Sequence, residues 1–173
     1  VIPGIPVTPD QLDQDIWLFN CPNGTIDLKT GRLRPHHRDD RITKIAPVAY
    51  DENAKCDLWE DFLSSILQSD ELIEYVWRLC GYCLTGSVEE QILPILWGCG
   101  ANGKSTFVNT IMAVMGEHYS FQAKPDLLMV KRQAGHTTER MSLFGKRFVA
   151  SSETQSGARI DESFVKELSG GET

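Results

Sequence analysis

The stretch Gly98-Cys99-Gly100-Ala101-Asn102-Gly103-Lys104-Ser105 constrains this chain more than any other. It satisfies the pattern G-x-x-x-x-G-K-[ST] and follows the apolar run Ile92-Leu93-Pro94-Ile95-Leu96-Trp97. That run predicts a strand. Pro94 cannot donate to a ladder, so the strand either tolerates one missing bond or begins at Ile95. Beyond the loop, Phe107, Val108, Ile111, Met112 and Met115 recur at helical spacing from Lys104 to Gly116. Strand, glycine loop and helix are what phosphate binding requires. Glycines let the backbone wrap closely around oxygen atoms, and the free N–H groups of a helix start present partial positive charge. A lysine in the Lys104 position neutralises the β- and γ-phosphates, and a hydroxyl in the Ser105 position ligates Mg²⁺. A chance match to the four fixed positions is expected at roughly 0.5% in a chain of this length. A bare glycine turn before an ordinary helix is the plain alternative, and the flanking elements argue against it. Gly98, Cys99, Gly100, Ala101, Asn102, Gly103, Lys104, Ser105 and Thr106 are therefore expected to bind a nucleoside triphosphate, with ATP and Mg²⁺ as cofactors.

A second feature complements the first. Arg147-Phe148-Val149-Ala150-Ser151-Ser152 reads as a buried strand, and Glu153 stands just beyond its end. Phosphate-loop enzymes take from a neighbouring strand an acid that works through Mg²⁺ and orients the attacking water. Lys104 and Glu153 are thus the expected catalytic residues, with Ser105 and, indirectly, Glu153 at the metal.

The rest of the composition bounds the partners. A formal charge of −7 over 173 residues argues against a generally basic surface, although one local patch is enough to hold DNA. With 41% hydrophobic residues the chain can bury a core, and no apolar run is long enough to cross a membrane. Val1-Ile2-Pro3-Gly4 does not begin a basic-then-apolar signal, so a cytoplasmic location is the default expectation. Cys80 and Cys83 have C-x-x-C spacing, but a second pair is missing and only His36 and His37 offer distant zinc ligands. Five cysteines, an odd number, favour reduced core thiols.

Two regions are expected: residues 1–90, a β-meander plus helical hairpin, and residues 91–173, the first part of a phosphate-loop domain. After an irregular lead-in over residues 1–15, Ile16-Trp17-Leu18-Phe19-Asn20 and Thr25-Ile26-Asp27-Leu28 predict strands about an Asn23-Gly24 turn, with Arg32-Leu33-Arg34 after a second turn. Residues 38–41 read as a solvated connector, and Arg41 to Ala46 as a further short strand. Asp57 predicts a helix cap with Glu60 three positions on, and Leu58, Trp59, Phe62, Leu63, Ile66 and Leu67 recur at helical spacing. Ser69 predicts the cap of a second helix ending at Gly86. Trp59, Tyr75, Trp77 and Tyr82 could stack on bases, but their spacing among leucines favours a core role. Residues 119–123 predict a weak strand, 125–129 a helical turn and 137–143 a helix. Lys131 to His136 form a basic loop, and Asp161 to Leu168 an amphipathic helix.

In order along the chain, Asn23-Gly24-Thr25-Ile26-Asp27-Leu28-Lys29-Thr30-Gly31, Leu79 to Gly86, Gly98 to Ser105, His136 with Thr138 and Glu139, Gly145-Lys146-Arg147, Ser152-Glu153 and Lys166 to Glu172 resemble the superfamily 3 helicase portion of phage and plasmid primase-helicases, a group related to the poxvirus primase-helicase. The resemblance covers about Phe19 to Thr173. It implies an AAA+-like α/β ATPase that assembles as a ring, commonly hexameric, and translocates on single-stranded or forked DNA during replication. Lys104 and Ser105 match its Walker A positions and Glu153 its Walker B acid. Ser152 stands where many relatives of the wider superfamily carry another acid. The resemblance further implies that the sensor asparagine, the DNA-contacting hairpin and the arginine finger lie downstream of residue 173, so these residues alone should hydrolyse ATP poorly. Two rival classes share the loop. A small kinase would need an acceptor pocket and an arginine-rich lid, and no such lid follows the loop helix. A nucleotide-regulated initiator or loading module would keep partner recognition without unwinding.

Overall fold

The computed structural model describes residues 7–130, 140–152 and 159–170. Its first layer is an antiparallel meander of β1 (Leu18–Cys21), β2 (Gly24–Asp27) and β3 (Arg32–Arg34). Cys21 pairs with Gly24, so the hairpin turns over Pro22-Asn23, one residue earlier than the Asn23-Gly24 signal suggests. Gly24 serves a different need. At φ +153° it lets β3 approach, and a Cβ there would lie 2.5 Å from the Arg34 carbonyl oxygen.

Residues 41–46 do not form the expected strand. The Ala46 N–H donates to the Asn20 carbonyl at 2.8 Å and the Asn20 side-chain Nδ2 to the Lys44 carbonyl at 3.0 Å, so the segment lies along β1 without a continuing ladder. The connector before it is more than a solvated loop. Arg38–Asp40 make a 3-10 turn, and Arg34 grips Asp40 with two parallel bonds of 2.8 and 2.7 Å. The guanidinium holds the Asp40 carboxyl below its ordinary range.

The helical hairpin forms as α1 (Asp57–Leu67) and α2 (Asp70–Leu84). Cys56, not Asp57, occupies the cap of α1 and makes no side-chain cap bond, so Asp57 acts as a first-turn acid toward the helix dipole. Ser69 caps α2 as expected, accepting from the Leu72 N–H. The aromatic residues divide. Trp59 stacks on Phe62 and Phe107, but Tyr75 and Trp77 are about half exposed and Leu58 is 81% exposed. Their side of the hairpin lacks a covering layer among the described residues, which helical periodicity alone cannot reveal.

Next come α3 (Lys104–Tyr119, broken at Gly116), β4 (Ser120–Ala123), β5 (Phe148–Ser151) and α4 (Glu162–Leu168). The strands β4 and β5 are parallel and pair Ser120 with Phe148 through Ala123 with Ser151. Parallel pairing with a helix before β4 fits the α/β class. The strand expected at Ile92–Trp97 does not form. Those residues have no ladder partner among the described ones, and Ile95 and Trp97 are 74% and 91% exposed. Pro94 removes one donor, but the absence of a neighbouring strand matters more, because isolated strands do not satisfy their own backbone. For the same reason β5 is half-buried with Val149 exposed, where burial was expected. The structure is thus mixed α/β with small sheets, and a complete phosphate-loop sheet is not present among the described residues.

Three apolar clusters hold these pieces together, and two cross residue 90. Phe19, Cys21, Ile26 and Ala46 pack with Met115 and Tyr119, and Leu63 and Val76 pack with Phe107. The third joins Ala123, Leu127 and Phe164. Asp161 caps α4 at the Phe164 N–H, and the Met129–Ile160 bridge ties the 125–128 turn to that helix.

Candidate functional site

The glycine loop runs directly into α3, as its sequence requires. Gly103 is the cap residue at φ +83°, and its carbonyl accepts the first helical bond from the Phe107 N–H at 2.9 Å. The left-handed turn is not its only reason to be glycine. A Cβ at residue 103 would lie 2.8 Å from the Ile66 methyl and 3.1 Å from the Phe62 ring. The last turns of α1 therefore press on the loop from below, and the Trp59–Phe107 stack at 5.9 Å extends that contact into α3. The helical hairpin is a buttress of the glycine loop, a role that its spacing pattern did not disclose.

Lys104 is half-buried and reaches back across the loop. Its ammonium donates to the Gly98 carbonyl at 2.8 Å and to the Asn102 side-chain oxygen at 2.9 Å. Ser105 and Thr106 are exposed in the first turn of α3, as are Cys99, Gly100 and Ala101 along the loop. Exposed helix-start N–H groups, one ammonium and one hydroxyl are the donor set that a phosphate chain needs, and the Ser105 oxygen is chemically suited to Mg²⁺. Among the described residues no cluster of three or more His, Cys, Asp or Glu side chains could itself hold a metal. Glu153, the expected acid, lies outside the described residues, as do His136, Thr138, Glu139, Gly171 and Glu172 of the resemblance. The strand that would deliver Glu153 is in place through Ser151, and it pairs with β4 rather than with residues 92–97.

Sequence reasoning placed Arg147 at the start of a strand but gave it no role of its own, and the fold uses it as a tie. Its guanidinium donates to the Leu84 carbonyl at 2.6 Å and the Leu18 carbonyl at 2.9 Å, and lies 5.0 Å from the Tyr119 ring centre. Burial lowers its pKa from the ordinary arginine value, opposed by the charges of Tyr119, Asp13 and Asp15. Tyr119 is fully buried, stacks on Phe19 at 4.4 Å, and accepts from the Asn20 N–H. A lone arginine opening an apolar strand was the available signal. One side chain thus joins the meander, the end of α2 and the strand leading toward Glu153.

Cys80 and Cys83 sit on α2 with their thiols pushed up to about 11 by burial, so both stay protonated near neutral pH. Cys56 and Cys99 are exposed. A maleimide at pH 7.5 should therefore label Cys56 and Cys99 first and reach Cys80 and Cys83 only on unfolding. Mg·ATP should slow labelling at Cys99 alone, and equal rates at all four would contradict the packing described.

Comparison with known proteins adds an independent line. Residues 3–68 match the family model described as D5 N terminal like. Over 171 residues the chain is 28% identical to the candidate helicase L207/L206 of Acanthamoeba polyphaga mimivirus, covering 94% of this chain and 17% of that protein. It is 33% identical over 107 residues to the candidate helicase 184R of Invertebrate iridescent virus 6, covering 59% of this chain and 11% of that protein. It is 25% identical over 166 residues to the candidate primase C962R of African swine fever virus, covering 91% and 17%. This chain thus spans at most 17% of the length of these relatives. The chain is thus similar, over a small share of their length, to viral proteins described as candidate helicases and primases, and its first part resembles the D5 N terminal like model.

Proposed function

We propose that this chain supplies the nucleotide-binding part of an ATP-dependent DNA helicase of superfamily 3, working in the replication of a phage, plasmid or related viral element. The observation that carries the reading is the loop: an ammonium drawn back across it from Lys104 to Gly98, at the start of a helix whose first residues are exposed. Lys104 would neutralise the terminal phosphates, Ser105 would ligate Mg²⁺, and Glu153 would orient the attacking water. Magnesium held by Ser105 would supply positive charge to offset that of the phosphates.

The small share of each relative that this chain covers supports reading it as one portion of a longer polypeptide. Ring assembly, six-fold in the resemblance, and tracking on single-stranded DNA are proposals for that polypeptide. The test is ATP turnover by the longer protein with and without forked DNA. Stimulation by DNA that is lost in Glu153→Gln, with Mg·ATP still bound, supports the helicase reading. Turnover indifferent to DNA would favour a kinase. DNA or partner binding that survives Glu153→Gln, with no unwinding by the unaltered protein, would favour a loading module.

A further inference from the structure

The lysine that should meet phosphate is already held by its own loop. Lys104 donates to two oxygens, the Gly98 carbonyl and the Asn102 carboxamide, at 2.8 and 2.9 Å. The two bonds span the loop from its first residue to its seventh. Asn102 is itself seated by close packing, because a Cβ at Gly98 would collide with its side-chain nitrogen. The carboxamide therefore lies against the Gly98 backbone with its oxygen turned to the ammonium. Gly98, Asn102 and Lys104 close a ring of contacts at the mouth of the loop.

We propose that Asn102 is a positioning residue that withholds Lys104 from phosphate until a triphosphate replaces the amide and carbonyl oxygens with its own. This rests on the reading of the loop as a triphosphate site. A ligand that needs the ammonium binds only the fraction of molecules in which it is released, and its apparent dissociation constant rises accordingly. Bonds to a charged donor are the strong ones, so the fraction is set largely by these two acceptors. Asn102→Ala removes one acceptor without adding charge and should tighten Mg·ATP binding about three- to tenfold. Asn102→Asp puts a carboxylate against the ammonium and toward the incoming phosphates, and should weaken binding about 100-fold. The opposite signs matter, since simple damage to the loop would weaken both variants.

Two readouts on the whole chain test this. One is titration with a fluorescent adenosine triphosphate and Mg²⁺. The other is acylation of Lys104 by an N-hydroxysuccinimide ester, followed by peptide mass spectrometry, which needs no nucleotide. Faster acylation and tighter binding in Asn102→Ala, with slower acylation and weaker binding in Asn102→Asp, are expected. Acylation of Asn102→Ala at the parental rate, or weaker binding by it, would overturn the proposal. A parental chain without affinity for Mg·ATP would remove the triphosphate reading instead, and the acylation rates would still decide whether Asn102 restrains Lys104.

Discussion

Replacing Lys104 with alanine should weaken Mg·ATP binding by about 100- to 1,000-fold while leaving thermal stability unchanged. The size follows from the loss of a cation that faces the charge of two phosphates, a loss worth about 3–4 kcal/mol for a charged pair within a partly enclosed site. Stability should not follow, because both bonds of this side chain stay within the loop and tie no two elements together. Calorimetric titration and a melting curve on the same sample separate the two effects. A variant that melts earlier in step with its lost affinity would make Lys104 a structural residue. Arginine at this position should not rescue, since its planar fork needs more room than a compact ammonium.

Arg147→Ala should do the reverse: destabilise the fold while touching no part of the loop. The side chain joins the Leu84 and Leu18 carbonyls across three elements and covers the Tyr119 ring. Removing it leaves two carbonyls without their charged donor and a void beside a fully buried tyrosine. Together these cost about 3–5 kcal/mol, a large part of the roughly 5–15 kcal/mol that a domain possesses. A fall in melting temperature of about 10 °C is the corresponding signal. Arg147→Lys can reach only one carbonyl at a time and should recover less than half. Denaturant titration measures both, and a loss below about 1 kcal/mol for the alanine variant would mean that the tie is not structural.

The sequence was most informative where a local rule had a single solution. The meander followed from turn residues, Ser69 marked the start of α2, and the loop-to-helix junction followed from Gly103-Lys104. It was least informative where a third element decides. Whether Ile92 to Trp97 become a strand depends on a neighbour that supplies the ladder, and apolar alternation carries no record of that neighbour. Tyr75 and Trp77 sit at helical spacing yet are exposed, since periodicity reports a stripe and not what covers it. The site divides the same way. Lys104 and Ser105 lie where the pattern puts them, whereas the Phe62 and Ile66 support, the Asn102 contact and the Arg147 tie arise from packing between segments distant in the chain.

That this loop grips a triphosphate is best tested by following the backbone amide resonances of the isotopically labelled chain while Mg·ATP is added. The account predicts saturable shifts at Gly98 through Thr106, with smaller ones at Phe62 and Ile66 beneath Gly103, all absent in Lys104→Ala. Shifts confined to the open depression lined by Met112, His118, Phe121 and Phe144, or none at all, would contradict it.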